Sequence, residues 1–372
     1  MPIIRKIQKN IEEKMFKGKI IVIYGARQVG KTTLIQEIKK KNSKDSVYFN
    51  CDEPDVRMAL TNKTSTELKL FLGNKKLILL DEAQRVKNIG LTLKLIVDNF
   101  PDIQIIATGS SSFDLSNKIV EPLTGRKYEF YLYPFSLEEL RQIYSDLEIN
   151  RLLEKRMIFG MYPEVVNTND KEILKSITKS YLYKDVLQYQ DIRNPEVLEK
   201  LLQALALQIG NEVSYNELAD MIGINKNTVA NYIQILEKAF IIFRLKPYSK
   251  NLRNELKKLR KIYFYDTGIR NVLINNLNPL DLRQDVGSLW ENFMISERIK
   301  FNNNNDKDAQ MYFWRTSQQQ EIDYLEEING KLSGFELKWK KDKFKKNQIF
   351  LNAYKNSSIE LINKDNYKSF VF

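Results

Sequence analysis

The chain has 372 residues, with 59 Lys and Arg against 47 Asp and Glu for a net charge of +12, one cysteine and no histidine. That length implies two or three domains, and 43% hydrophobic residues can fill their cores. The missing histidine excludes Ser-His-Asp and Cys-His catalysis and His-ligated zinc, which leaves hard cations such as Mg²⁺ or Mn²⁺ as the metals available. Cys51 alone excludes an internal disulfide framework and fits a reducing compartment. The opening "MPIIRKIQKNIEEKMFKGK" is charged throughout, and no apolar run reaches the roughly 18 residues of a membrane span. A cytoplasmic protein without a membrane partner is therefore expected. The basic balance points to a polyanionic partner such as DNA, or else to a Lys- and Asn-rich surface without function, of which "NNNND" at 302–306 is a sign.

The first element is "IIVIY" (20–24), short, apolar and β-branched, as a buried parallel strand should be. Behind it runs "GARQVGKTT": Gly25, Ala26, Arg27, Gln28, Val29, Gly30, Lys31, Thr32 and Thr33. Glycines let the backbone approach phosphate closely, and the loop N–H groups form an anion cradle with the N-terminus of a helix starting near Lys31. Lys31 is expected to reach the β- and γ-phosphates of ATP, and Thr32 to ligate Mg²⁺.

A second strand, "KKLILLDEAQR", carries Asp81 at its tip for the Mg²⁺ shell and Glu82 as general base for the attacking water. The pair points to hydrolysis beyond mere binding. A third, "IQIIATGSS", ends in Thr108-Gly109-Ser110, where Ser110 would touch the γ-phosphate or the water unless the stretch is a plain strand-end turn. Further strands are read at "SVYFNCD" (46–52) and "EFYLYP" (129–134). Alternating strands and helical stretches predict a parallel sheet covered on both faces. Arg126, shortly before the last of these strands, is either an arginine finger for its own or a neighbour's site, or a surface arginine.

"GARQVGKTTL", "ILLDEAQRV", "IIATGSSS" and "LTGRKYEFYLYPFSLEEL" together resemble the prokaryotic AAA-superfamily P-loop ATPases that carry a C-terminal domain of unknown function. These are related to archaeal-type ATPases. "MIFGMYPEVV" and "YLYKDVLQY" resemble that family's lid segment. The resemblance spans essentially the whole chain and implies an ATP-binding core, a helical lid, a winged helix and a nuclease-like tail. It leaves rings and monomers equally open, so a homo-oligomer is one reading.

Residues 136–209 have the Leu-, Glu- and Lys-rich, Gly-poor composition of helices, suited to the lid. "SYNELADMIG" then predicts a helix entered through Ser214, with Glu217 three residues on, and closed by Gly223. A second helix follows, with Val229, Tyr232, Ile233 and Leu236 on one face and Asn225, Lys226, Asn227 and Thr228 at its start, and then a β-rich "IIFRLKPY". This is a helix-turn-helix with a wing, serving either DNA or protein contact. The basic stretch "SKNLRNELKKLRK" (249–261) is suited to phosphate contacts.

In the last third, "YFYDTGIRNVL" reads as a strand into a helix, and "DVGSLWENFMISERIK" as a helix. Three strands follow, two of them joined at Asn329-Gly330. In the third, Phe335, Leu337 and Trp339 should face one side and Glu336, Lys338 and Lys340 the other. Glu291, Asp323, Glu336 and Lys338 resemble the acidic pair and lysine of the PD-(D/E)xK nucleases, in which carboxylates hold Mg²⁺ and the lysine serves the water.

The expected fold is α/β: a P-loop, AAA-like core (1–135), a helical lid (136–209), a winged helix-turn-helix (210–265) and a restriction-endonuclease-like domain (266–372). The expected function is a Mg²⁺-dependent ATPase whose C-terminal half engages DNA. The alternatives are a nucleotide-gated switch with slow turnover and an ATP-regulated, metal-dependent DNA nuclease.

Overall fold

The computed structural model describes residues 3–109, 122–181, 194–249, 260–316, 318–340, 344 and 346–372. The chain forms two compact units, residues 1–134 with 238–240, and 135–237 with 241–372.

The first unit is built on β1 (Ile20–Tyr24), β2 (Ser46–Asn50), β3 (Leu77–Asp81), β4 (Gln104–Gly109) and β5 (Lys127–Tyr131). Their order is β2-β3-β4-β1-β5, parallel throughout. Every residue of β1, β3 and β4 is buried, which is why these strands read as apolar runs without alternation. In the all-parallel sheet the loops after β1, β3 and β4 emerge at one edge, the carboxyl edge where α/β sheets bind ligands. The strand expected at 129–134 begins two residues earlier and ends at Tyr131.

The second unit holds the helical stretch read as a lid: Leu137–Leu140, Asp146–Phe159, Pro163–Thr168, Lys171–Tyr181 and Pro195–Leu207. After it come β6 (Glu212–Val213), helices Tyr215–Ile222 and Lys226–Lys238, β7 (Ile242–Pro247) and β8 (Arg260–Phe264). Ser214 accepts the Glu217 N–H at 3.4 Å, and Gly223 closes the first of these helices at φ 77°. Next come helix Thr267–Leu273, helix Val286–Asn304, β9 (Gln310–Arg315), β10 (Glu321–Ile328), β11 (Lys331–Leu337), helix Gln348–Ala353 and β12 (Ser357–Ile362). Asn329 and Gly330 both take positive φ between β10 and β11, as a two-residue hairpin turn requires.

The segments read as separate domains at 210–265 and 266–372 share one sheet, ordered β12-β11-β10-β9-β7-β8-β6. The join is a parallel pairing of β7 with β9, Lys246 opposite Tyr312 and Pro247 opposite Phe313. A strand edge left open at β7 would expose unpaired backbone groups, and β9 satisfies them. The sequence carried no sign of this pairing because it joins residues more than sixty positions apart.

"YDTGIRN" is the knot of the second unit. Buried Asp266 accepts hydrogen bonds from the N–H groups of Met161 (2.7 Å) and Ile269 (3.1 Å). Asn271 donates to the carbonyls of Met157 (3.1 Å) and Ile158 (2.9 Å). A Cβ on Gly268 would overlap the Phe159 carbonyl, so only glycine permits this approach of helix to helix. Close by, the buried pair Glu297–Lys300 (2.7 Å) holds the start of the unit: Glu297 accepts the Leu137 N–H at 2.6 Å and Lys300 donates to Phe135 O at 3.0 Å.

Candidate nucleotide site

The loop Gly25–Thr33 leaves the end of β1 and turns into helix Lys31–Lys41 through Gly30 at φ 97°. Gly25 has no room for a side chain: a Cβ there would overlap the carbonyl oxygen of Leu132. That close approach is fixed by the Leu132 N–H, which donates to Tyr24 O at 2.7 Å. Lys31 is buried and its ammonium donates to two carbonyls of its own loop, Gly25 O (2.9 Å) and Ala26 O (2.7 Å). A lysine so placed lies on the loop's concave side and needs only side-chain rotation to meet an anion.

Asp81, at the tip of β3, is the centre of the arrangement. Its Oδ2 accepts from Thr32 Oγ1 (2.6 Å) and Tyr48 OH (2.9 Å). Its Oδ1 accepts from Thr108 Oγ1 and from the Glu82 N–H (3.2 Å). Strand order explains the set, since β3 lies between β2, which brings Tyr48, and β4, which brings Thr108. Burial, and then the Asp81 carboxylate, push the Tyr48 phenol above its ordinary value. Burial, then Asp81, push the Cys51 thiol up to about 12, so this cysteine is an inert filler beneath the site. Glu82 follows in the left-handed region at φ 52°, and Gln84 Nε2 donates to its carboxylate. The donor set fits Mg²⁺ with a nucleotide: a threonine hydroxyl and a carboxylate meet beside a glycine-walled, N–H-lined loop.

Two residues missing from the sequence reading, Arg5 and Tyr48, join the site, together with Thr108 from the strand end already singled out. Arg5 donates from Nη1 to Val29 O (2.6 Å) and from Nη2 to Tyr133 O (2.7 Å), clamping the loop to the segment after β5. Tyr48 and Thr108 share the Asp81 carboxylate as described. Nothing in the local pattern around Arg5 marks it. Tyr48 was discoverable only by asking which strand neighbours the one that ends in Asp81. Replacing Arg5 by Ala removes two charge-assisted hydrogen bonds, each about 1.5–3 kcal/mol. If half of one is expressed in loop order, nucleotide affinity falls about three- to tenfold. Titration with a fluorescent ATP analogue measures this, and an unchanged affinity would remove Arg5 from the site.

Arg126 needs correction as a finger for its own site. Its carbonyl accepts the Ile20 N–H at 2.9 Å, which puts it beside the start of β1, at the sheet edge opposite the loop. Five strand residues, about 16 Å, separate that edge from Tyr24. Its guanidinium pairs with Asp98 at 2.7 Å. Ser110 lies outside the described residues, as do most of 249–261 and of 181–189.

The second unit brings the other singled-out residues together. A cavity of about 800 Å³ is lined by Glu291, Asp323, Lys338 and Arg283, among others. Glu336 faces Lys338 at 3.9 Å. Trp339 and Lys340 line the same cavity as Lys338, because β11 ends at Leu337 and the expected alternation stops there. Burial, then Asp323, raise both Glu291 and Glu336 to about 7. Burial also raises Asp323, whose Oδ2 accepts the Leu337 N–H at 2.8 Å. Missed by the sequence reading is Lys261 on β8, buried, at 3.1 Å from Glu291 Oε1 and ion-paired with Glu321. Tyr263 OH also donates to Glu291, at 2.5 Å. Among the described residues no group of three or more acidic or cysteine side chains is placed to hold a metal ion. Nor is any described helix long and apolar enough to cross a membrane.

Residues 17–141 match an AAA domain, residues 150–280 a domain of unknown function (DUF8612) and residues 286–368 another (DUF4143). The chain is 25% identical to the uncharacterized protein Rv2008c of Mycobacterium tuberculosis, over 90% of this chain and 73% of that one. Among solved structures, the Walker-type ATPase PABY2304 of Pyrococcus abyssi has a TM-score of 0.49 at 19% identity, covering 72% of this chain and 94% of that one. The uncharacterized protein MJ1544 of Methanocaldococcus jannaschii is 30% identical over 78% of this chain and 69% of its own length. With a phosphate loop facing an aspartate-tipped strand inside its AAA domain, the chain belongs to one family with MJ1544.

Proposed function

We propose that the chain is a Mg²⁺-dependent ATP hydrolase whose C-terminal half engages DNA. The observation that carries the hydrolase is the meeting of Thr32 Oγ1 and Asp81 Oδ2 at 2.6 Å beside the loop, with Glu82 next in sequence. Bound ATP with Mg²⁺ would supply the phosphoanhydride and neutralise its charge. The chain does the rest. Loop N–H groups hold phosphate oxygens, and Lys31 exchanges the carbonyls of Gly25 and Ala26 for phosphate. Thr32 and Asp81 would hold the metal, and Glu82 would take the proton of the attacking water. Arg126 retains two readings, a finger toward a neighbouring copy and a surface arginine paired with Asp98.

Support for DNA comes from the second unit. Helices Tyr215–Ile222 and Lys226–Lys238, followed by β7 and β8, have the element order of a winged helix. Asn225, Lys226 and Asn227 are exposed at the start of the second helix, where recognition helices meet base edges, while its Val229, Tyr232, Ile233 and Leu236 are buried. The net charge of +12 suits a polyanion. The test is phosphate release with Mg²⁺, with and without plasmid or single-stranded DNA, using Lys31→Ala as the blank. Stimulation of about threefold or more by DNA is expected, with a steep loss as salt rises. A rate that DNA leaves unchanged would remove DNA and favour a nucleotide-gated switch.

The tail has the element order helix, three-strand meander, helix, strand, with Glu291, Asp323 and Lys338 lining one cavity and Glu336 beside Lys338. That order supports a nuclease-like fold. The residues do not fit the divalent ion that cleavage needs, because Glu291 is already engaged by Lys261 and Tyr263. No cleavage step is derived for them.

A further inference from the structure

We infer that the ammonium of Lys261 is the permanent cation of the acidic cluster Glu291–Asp323–Glu321, standing in the role of a divalent metal, so that the cluster takes up no divalent ion. The inference concerns residues on which the ATP-hydrolase reading does not rest.

Three observations carry it. Lys261 is 1% exposed, so its charge has been taken fully out of water. An ammonium is removed from water at a cost of several kcal/mol unless anions surround it. Those anions are Glu291, one of the carboxylates a metal would need, with its Oε1 at 3.1 Å, and Glu321 in direct ion pair. Burial alone would lower the basicity of Lys261; Glu291 and Glu321, with Asp323, outweigh it and hold the ammonium above its ordinary value. The position is also rigid. Lys261 is a sheet residue, opposite Glu212 on β6 and Leu245 on β7, and its ammonium lies 5.7 Å over the Phe313 ring. A divalent ion entering the cluster would meet a fixed positive charge within a few ångströms. Glu291 is held a second time by Tyr263 OH, so it lacks a free lone pair in the direction of that donor. The remaining partners are accounted for as well. Asp323 is bound by the Leu337 N–H, Glu321 by Arg315 at 3.6 Å, and Glu336 faces Lys338.

Removing the ammonium while keeping its stem leaves buried Glu291, beside Asp323, without its ion-pair partner, which is the condition under which a site recruits a metal. Lys261→Met tests this, because methionine fills the stem and carries no charge. Nucleotide-free wild type, Asp323→Asn, Lys261→Met and the double variant Lys261→Met/Asp323→Asn are titrated with Mn²⁺ at pH 8, reading free Mn²⁺ by electron paramagnetic resonance. Wild type and Asp323→Asn should titrate alike. Lys261→Met should gain one saturable site at least tenfold tighter than anything in wild type, lost again in the double variant. A wild-type site that Asp323→Asn abolishes would overturn the inference, because the cluster would then hold metal with Lys261 in place. A folded Lys261→Met without a new site would overturn it too. Circular dichroism establishes folding; should Lys261→Met fail to fold, the pair of wild type and Asp323→Asn decides alone. None of these outcomes depends on ATP turnover, so failure here and failure of the hydrolase reading are distinguishable.

Discussion

Glu82→Gln is expected to bind ATP as tightly as wild type and to hydrolyse it about 10²–10⁴-fold more slowly, the usual contribution of a positioned general base. The argument is local. Glu82 is the residue after the metal-facing Asp81, and its backbone sits at φ 52°, a left-handed conformation costly for a glutamate. That turn is held by its own N–H, which donates to Asp81 Oδ1 and Thr108 Oγ1, both at 3.2 Å. The backbone direction is therefore set by Asp81 and Thr108, and the side chain adds only the carboxylate. In this structure that carboxylate accepts from Gln84 Nε2 through Oε2, which orients it while Oε1 keeps its lone pairs for a water. Glutamine at 82 keeps volume, backbone and hydrogen bonding but cannot take a proton at neutral pH. Filter retention of labelled ATP together with phosphate release separates the two effects. Retained ATP with lost turnover is the expected pair; unimpaired turnover would remove Glu82 as the base, and lost binding would assign it a structural role.

How far the sequence disclosed all this follows from the range of each interaction. Gly25, Gly30, Lys31, Thr32, Asp81 and Glu82 were legible because phosphate chemistry fixes residue types at short spacing, and the buried parallel strands around them are uniformly apolar. Ser214, Gly223 and the Asn329-Gly330 turn were legible because capping and turn geometry are local. Arg5 was not, since it acts across 128 residues on Tyr133. Lys261 was hidden for the same reason: in "RKIYF" it reads as one more lysine of a Lys-rich chain, and only the β8 register places it against Glu291. Arg126 was misplaced because nearness in sequence to a strand does not say which end of the sheet it occupies. The domain boundary drawn near 265 failed to foresee the β7–β9 pairing, a long-range backbone contact with no side-chain signature.

Asp266→Ala is expected to destabilise the second unit by about 3 kcal/mol, because it strips the acceptor from two buried N–H groups at roughly 1–3 kcal/mol each. Those donors, Met161 N–H and Ile269 N–H, belong to different elements, so their loss loosens helix Thr267–Leu273 from the segment before Pro163. All three tryptophans, Trp290, Trp314 and Trp339, lie in this unit, so intrinsic fluorescence during urea denaturation reports it directly. At about 2–4 °C per kcal/mol for a unit of this size, the melting midpoint should fall by roughly 6–12 °C. The pH dependence gives a sharper check. Burial, against the pull of Lys300, raises the Asp266 carboxyl above its ordinary 3.8. A raised acid binds its proton more tightly in the folded state, so its contribution to stability is largest in acid. That contribution declines as pH rises from the unfolded value through the folded one. Alanine has no such contribution, and the difference between wild type and Asp266→Ala should shrink as pH rises above the ordinary carboxyl value of 3.8. A difference that instead grew with pH would mean that the ionised carboxylate is the stabilising form, favoured by its backbone donors and Lys300 over the cost of its burial.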